Sequence, residues 1–424
     1  MVRFLGSKNC ALSPMLILTT ALLAISAFNY GFSDQAFASC QAMYPFVKQF
    51  GRFEKKTQTY VIDPLFKSLY NSLKSGAQAV AEMAPAQIRG SMGVLYWLTI
   101  KVGGLVVTCI TRRTSAIPSN ASWQIPFGLI LIIPAVVIAM VWFIPESPRW
   151  LLLHDRQEDA IESLSRLKNK NTPAEEIRLE FDELSQRVAT QLKHGSFRHL
   201  FTSKNRMRTF VVVMVNFFQQ ASGQAFASQY GTLFVQALKT VNPFSVTVGT
   251  NATDIGALII CFLTVDVLGR RTLMLASSTL QVAALVTMGG LGTAGNYTNI
   301  KKGIVAMLIL YSFAWSLGSG PLTYVIAAEL PSSPLREATL QIAYTLKLAT
   351  EFAVTFSYPY LETADDPGHI NLGGRLGFIY GSLAVLAVAF YYIFIPETRQ
   401  LTLEDIDDKF YSESNEKDIE IKVA

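Results

Sequence analysis

"IPESPRW", residues 144–150, closes a long uncharged stretch of the chain, and "IPET", residues 395–398, closes another. The two copies of Ile-Pro-Glu lie 251 residues apart (144 to 395). A second pair keeps almost the same offset. Glu82-Met-Ala-Pro-Ala-Gln-Ile-Arg89 matches Glu329-Leu-Pro-Ser-Ser-Pro-Leu-Arg336, 247 residues further on (82 to 329). A shared offset between two motifs marks an internal duplication. The chain reads as two homologous units joined by the hydrophilic segment 146–208.

What the units are made of follows from composition. Of 424 residues, 50% are hydrophobic and only 16% are charged, where a soluble protein carries about a quarter charged. The charges are also clustered. None occurs in 9–33, 114–145, 209–238, 272–300, 303–328 or 376–396, and each gap reaches the ~20 residues that a membrane-crossing helix needs. Two further stretches, 91–111 with Lys101 and 338–361 with Lys347 and Glu351, are long enough to span, and a shorter one, 246–265, carries Asp254. The fold class is an all-α polytopic membrane protein. The apolar run in 1–33 is too long for a signal core and reads as the first membrane helix. Cys10, Cys40, Cys109 and Cys261 have neither metal nor disulfide spacing and read as small apolar residues. The net charge of +5 fits loops facing anionic lipid and points to no nucleic acid.

Orientation comes from loop chemistry. The 146–208 segment carries Arg149 and Arg156 at one end and Lys204, Arg206 and Arg208 at the other, and basic residues beside span ends mark the cytoplasmic side. Its interior alternates charge at helical spacing, the pattern of short surface helices. Counting outward leaves 112–122, 239–250 and 293–302 on the far side, and the sequons at Asn120, Asn251 and Asn296 fall in or beside those segments. The expected layout is a first bundle over 1–145, a cytoplasmic linker over 146–208, a six-helix second bundle over 209–396 and a cytoplasmic tail over 397–424.

The repeat also exposes an asymmetry. The interval from the first span to the Glu-…-Arg motif is roughly 50 residues, about two helices, shorter in the first unit than in the second. The shortfall falls between residues 51 and 82. Only 65–84 can cross there, and it places Lys74 near the middle of the span, at a cost of about 2.5–3.5 kcal/mol on insertion scales. The first bundle is expected to be incomplete, with about 10 spans in the chain instead of 12.

Several motifs together carry a resemblance. "PESPRWLL", "DVLGRR" (266–271), "EMAPAQIRG", "ELPSSPLRE", "QQASGQAFASQY" (219–230) and "IPETRQLTLEDID" resemble the signatures of the sugar porter family of the major facilitator superfamily, over about residues 21–410. The stretches 30–51 and 219–231 look closest to fungal sugar permeases, including the maltose-type alpha-glucoside group. The resemblance implies two homologous bundles with a sugar site between them at midplane. It implies substrate contacts at Gln219 and Gln220, with Gln224, Tyr230, Asn251, Trp315 and Tyr324 as further candidates. Buried amides and aromatic faces suit a sugar's hydroxyls and C–H edges, and an amide facing lipid would be costly. Gly318, Gly320 and Pro321 would loosen a helix beside such a cavity. Glu82, Arg89, Glu146, Arg149, Asp266, Arg270, Arg271, Glu329, Arg336 and Glu397 all sit at cytoplasmic span ends, where carboxylate–guanidinium pairs form when an inner gate shuts.

Departures from the family pattern stand beside these matches. Ser33 occupies the place of the family's first-span aspartate and Asp34 follows it, which makes Asp34 the proton-coupling candidate. The shortfall removes the fourth-span arginine that would face it. Trp97 stands about where the family has a fifth-span glutamine, and Ala225 where many hexose members have asparagine. Lys347 and Glu351 form an i,i+4 pair expected to face inward.

The function read from all this is transport of a small neutral sugar, a mono- or disaccharide, by alternating access across the plasma membrane, with proton symport in the intact fold and both termini cytoplasmic. A non-transporting truncated variant and a membrane sugar sensor are the alternatives. Four scattered histidines and no nucleophile, metal or phosphate-loop constellation give an enzyme reading no support, and no cofactor is expected. The topology is testable: a reporter fused after Ala424 should read cytoplasmic, and Asn120→Gln, Asn251→Gln and Asn296→Gln should each remove a glycan in a glycosylating host. A lumenal reporter would sink the arrangement.

Overall fold

The structure, a computed structural model, describes residues 14–54, 59–61, 89–142, 145–168, 173–194, 197–202, 205–295, 297–332, 335–362 and 372–398. The uncharged runs become helices because a helix satisfies its own backbone hydrogen bonds, the one requirement lipid enforces on a spanning segment. In the first half these are α1 (Pro14–Cys40), the short α2 (Tyr44–Phe50), α3 (Arg89–Thr114), and α4 (Ala121–Ile130), which continues into α5 (Ile132–Val141). A small antiparallel hairpin, β1 (Arg52–Glu54) and β2 (Thr59–Val61), pairs Phe53 with Tyr60. It is the one departure from an all-helical chain among the described residues.

The linker forms α6 (Pro148–Leu153), α7 (Gln157–Leu167) and α8 (Ala174–His194). Their apolar faces close on one another through Leu151, Leu152, Ala160 and Val188, as the charge alternation predicts. The second half contains α9 (Arg206–Ala221), α10 (Gln224–Leu238), α11 (Pro243–Leu268), α12 (Arg270–Thr293), α13 (Thr298–Leu317), α14 (Ser319–Glu329), α15 (Arg336–Glu362) and α16 (Leu376–Phe394).

By length and composition, six stretches among the described residues can cross a membrane: Val94–Thr114, Ala121–Met140, Pro243–Leu268, Arg270–Thr293, Thr298–Glu329 and Gly373–Phe394. Helices α1 and α15, 27 residues each, and the α9–α10 pair run beside them. The expected span 65–84 lies outside the described residues, so the ten-span count stands on the sequence alone. Side chains such as Ile138, Trp142, Leu263, Val267, Leu386 and Ile393 point outward and exposed, an apolar exterior suited to lipid.

Two long helices are broken. Between α9 and α10 the chain turns at Gly223 with φ 95°, a left-handed conformation that costs other residues more. The Tyr380 ring sits 2.7 Å from where a Cβ would stand, so the site also excludes a side chain. Between α13 and α14 the break falls at Gly318, the place the Gly-Ser-Gly-Pro run marks. Ser277 of α12 fastens it, accepting from the Ser319 N–H at 3.0 Å and donating to the Ala314 carbonyl at 2.7 Å.

The largest buried cluster joins the two halves. It takes Val94, Trp97 and Ile100 from α3, Val211, Val215 and Phe218 from α9, Leu258 and Cys261 from α11, and Trp315 and Leu322 from α13 and α14. Helix α3 packs along both α1 and α11. Against α1 the approach is backbone to backbone: a Cβ on Gly31 would lie 1.9 Å from the Ile100 carbonyl oxygen, and one on Gly103 2.1 Å from that of Phe28. Small residues at such crossings are how membrane helices gain close packing. Gly103→Val should therefore cost about 3 kcal/mol or more, the upper range for overpacking, seen as a lower unfolding midpoint in detergent. Gly249→Val in α11, with nothing within 4 Å of its Cβ position, is the control and should leave the midpoint nearly unchanged.

Candidate functional site

The midplane helices enclose a small polar cavity of about 60 Å³, lined by Asp34 and Gln35 of α1, Trp97, Lys101 and Gly104 of α3, Gln220 of α9, Gln224, Ser228 and Gln229 of α10, Asn251 of α11, Trp315 of α13, and Lys347 and Glu351 of α15. Both halves contribute. The break at Gly223 puts Gln220 at the end of one half-helix and Gln224 at the start of the next, so both amides reach the same space. Asn251 bonds its own helix, donating from Nδ2 to the Thr247 carbonyl at 3.0 Å.

Polar bonds cross the cavity from one half to the other. Gln229 Nε2 donates to Asp34 Oδ1 at 2.6 Å, and Gln35, next to Asp34 on α1, donates across to the Ser228 carbonyl at 3.5 Å as well as to Asp34 Oδ2 at 3.3 Å. Lys101 Nζ pairs with Asp254 Oδ2 at 2.6 Å, with side-chain exposures of 12% and 1%. Ser312 of α13 donates to that same oxygen at 3.0 Å. Beneath the cavity lies an aromatic group: Trp97 meets Trp315 edge to face at 5.1 Å and Tyr324 at 5.5 Å. Lys347 is bonded to the Tyr324 hydroxyl and stands 4.5 Å above the Tyr324 ring. As the i,i+4 spacing predicts, Lys347 and Glu351 turn inward, 1% and 9% exposed.

The candidate residues from the sequence divide. Gln220, Gln224, Asn251, Trp315 and Asp34 line the cavity. Gln219 does not; its Nε2 donates to the Gly320 carbonyl at 3.0 Å, which ties α9 to the broken helix. Tyr324 sits one layer away against Lys347. Tyr230 is a correction. It is fully buried in the core of the second half, donating to the Thr355 carbonyl at 3.1 Å and stacked on Tyr358 at 4.4 Å, because its place on α10 faces α15 rather than the cavity. The glycan expected at Asn251 is a second correction: its side chain is buried within α11 and turned to the cavity, closed to a glycosylating enzyme. Asn120 is exposed, and Asn296 lies outside the described residues.

Lys101, Asp254 and Trp97 are site residues that sequence reasoning did not assign. The signal was present, since Lys101 and Asp254 are the lone charges of their apolar stretches, and a charge inside a span points to a partner there.

At the end expected to be cytoplasmic, the second half builds a charge network. Arg270 Nη1 lies 3.3 Å from Asp266 and its Nη2 3.6 Å from Glu329. Glu397 accepts the backbone N–H groups of Arg270 at 2.9 Å and Arg271 at 3.2 Å, placing a carboxylate on the positive end of α12. Thr398 donates to Glu329 at 2.9 Å, and Arg271 donates to the Tyr392 carbonyl at 2.6 Å. Arg336 opens α15. Glu146 stands apart from this network. It pairs on the surface with Arg156 at 3.3 Å, and its carbonyl accepts the Ser163 hydroxyl. That cation is the N-cap residue of α7. Glu82 and the side chains of Arg89 and Arg149 lie outside the described residues.

Broken helices around a buried polar cavity are the build of secondary transporter folds. The family model described as "Sugar (and other) transporter" matches residues 78–410. The chain belongs to this family, the sugar porters of the major facilitator superfamily. A high glucose sensor of Saccharomyces cerevisiae is 30% identical over 79% of this chain and 45% of its own length. A probable glucose transporter of Neurospora crassa is 26% identical over 78% of this chain and 57% of its own. The chain thus spans about half the length of these curated relatives. Among solved structures, a proton:xylose symporter of the superfamily superimposes with a TM-score of 0.62 at 18% identity, over 93% of this chain and 87% of that one, a likeness of fold.

The network around Glu397 is testable by itself. Glu397→Ala removes the acceptor for two helix N–H groups and should cost about 1–2 kcal/mol of stability, while Glu397→Gln, keeping one carbonyl acceptor, should lose less. Equal losses in denaturation of the two purified variants would mean that the carboxylate is not capping α12.

Proposed function

We propose that this chain binds a small neutral sugar in the cavity between its halves, and that an intact pair of bundles moves it by alternating access with a proton as co-substrate. One observation carries the sugar-binding reading. Around the cavity the indole N–H groups of Trp97 and Trp315 and the amide oxygens of Gln220 and Gln229 are buried without a hydrogen-bond partner. Leaving a buried polar atom unpaired costs about 1–3 kcal/mol. Hydroxyl groups, each both donor and acceptor, are the ligand chemistry that answers two donors and two acceptors at once. The same indoles offer apolar surface for a sugar's C–H edges.

Movement is the finer part of the proposal. The Arg270–Asp266–Glu329 contacts have the form of an inner gate, paired when shut and hydrated when open. Asp34 is the carboxylate placed to exchange a proton, held by amide donors at the cavity wall. The setting is the plasma membrane, with both termini cytoplasmic.

A second reading, sugar binding without transport as in a sensor or truncated variant, is favoured by the repeat asymmetry. The described residues supply three spans in the first half (α1, α3 and α4–α5) against six in the second, whereas rocking needs two complete bundles.

Binding and movement separate experimentally. Trp97 and Trp315 make the site self-reporting, so titrating the purified chain with D-glucose or maltose should change tryptophan fluorescence. Gln220→Ala should weaken that response by about 1–3 kcal/mol. Uptake into proteoliposomes, with and without an inward proton gradient, then distinguishes porter from non-transporting binder. Binding with no uptake selects the second reading; no fluorescence response to any mono- or disaccharide refutes the sugar site.

A further inference from the structure

We infer that the Lys101–Asp254 ion pair is the latch that holds the two halves closed over the cavity, and that a sugar is admitted only when this pair parts. The inference rests on the sugar-binding reading for what is admitted, but the latch itself is argued from contacts alone. Lys101 belongs to α3 in the first half, Asp254 to α11 in the second, and their 2.6 Å contact spans the division between them. Ser312 adds a third helix of the second half by donating to the same carboxylate oxygen at 3.0 Å. Lys101 also stands 5.9 Å over the Trp315 ring, so its side chain lies across the cavity.

The space left supports this. A cavity of about 60 Å³ holds a few waters by the measure of one water to roughly 10–15 Å³ of probe volume, while ligand pockets run to about 300–1,000 Å³. Admitting a sugar requires that something spanning the cavity give way. Of the cross-half ties among the described residues, Gln35–Ser228 and Gln236–Ala42 join an amide to a backbone carbonyl, Asp34–Gln229 involves one charge and Lys101–Asp254 two, so the last resists separation most. It is also poised to release. Asp254 Oδ1 is buried with no hydrogen-bond partner, so the carboxylate is only half satisfied in the closed state and gains hydration when water enters. An ion pair that is strong when dry and dispensable when wet is a two-state element.

The test uses the full chain in nanodiscs, with its native cysteines replaced and a single thiol at the cavity wall, Ser228→Cys. Lys101→Met alone leaves a buried charge and can fail to fold, so the deciding variant is the neutral pair Lys101→Met with Asp254→Asn. With the latch removed, maleimide labelling of the thiol should quicken about tenfold, the change given by 1.4 kcal/mol of lost closed-state stability. The affinity for D-glucose should tighten by a similar factor, because more of the population is competent to bind. The reversed pair, Lys101→Asp with Asp254→Lys, should return both values toward those of the native chain. Unchanged labelling in the folded neutral pair, a weakened glucose affinity, or a reversed pair no closer to native than the neutral one each overturns the latch. If the native chain binds no glucose, the sugar reading fails, and the labelling rates still judge the latch.

Discussion

A charge inside a membrane-spanning helix has to find its partner within the protein, because lipid offers none. In this chain that constraint organises the interior. Asp34, Lys101, Asp254, Lys347 and Glu351 all lie on spans, and all of them collect at one level around one small cavity. The aromatic layer of Trp97, Trp315 and Tyr324 forms beneath them, and the breaks at Gly223 and Gly318 fall where α10 and α14 must yield to bring amides and rings inward. These charges act beside the apolar packing of Val94, Trp97 and Ile100 on the second half, which holds the halves together around them.

The two halves meet the constraint differently at the ends of the spans where the repeated Pro-Glu motif falls. In the second half, Arg270, Asp266, Glu329, Glu397 and Thr398 knit the ends of α11, α12 and α14 to the chain after α16. In the first half, Glu146 of the matching Pro-Glu-Ser motif pairs with Arg156 in solvent. An exposed pair of that kind contributes about 0–1 kcal/mol, so the repeated phrase in the sequence has unequal structural weight. The same motif position has different partners among the described residues, Arg156 for Glu146 and helix N–H groups for Glu397.

That distinction also explains what could be read from the sequence. Spans, linker helices, the break at Gly318 and the inward turn of Lys347 and Glu351 were legible because each is a local consequence of composition or spacing. Gln220, Gln224 and Trp315 were legible because the motif around them is long. Tyr230 was misplaced by the same motif: from Gln224 to Tyr230 the helix α10 makes nearly two turns and passes through every face, and sequence does not say which face meets the cavity. Asn251 looked like a loop sequon because span ends are uncertain by a turn, and α11 begins earlier than its apolar core. The pairing of Lys101 with Asp254 needed the packing of α3 on α11, a contact 153 residues apart that no periodicity reports.

The glycine contact between α1 and α3 has one more bearing on this interior. With the backbones touching at Gly31 and Gly103, no side chain lies between the helices there to cushion a slide, so the contact resists their separate movement. Asp34 rides on α1 and Lys101 on α3, three residues and two residues from those glycines. Each carries one tie to the second half. With α1 and α3 in such contact, a parting of the halves of the kind inferred above would strain both ties together rather than one after the other.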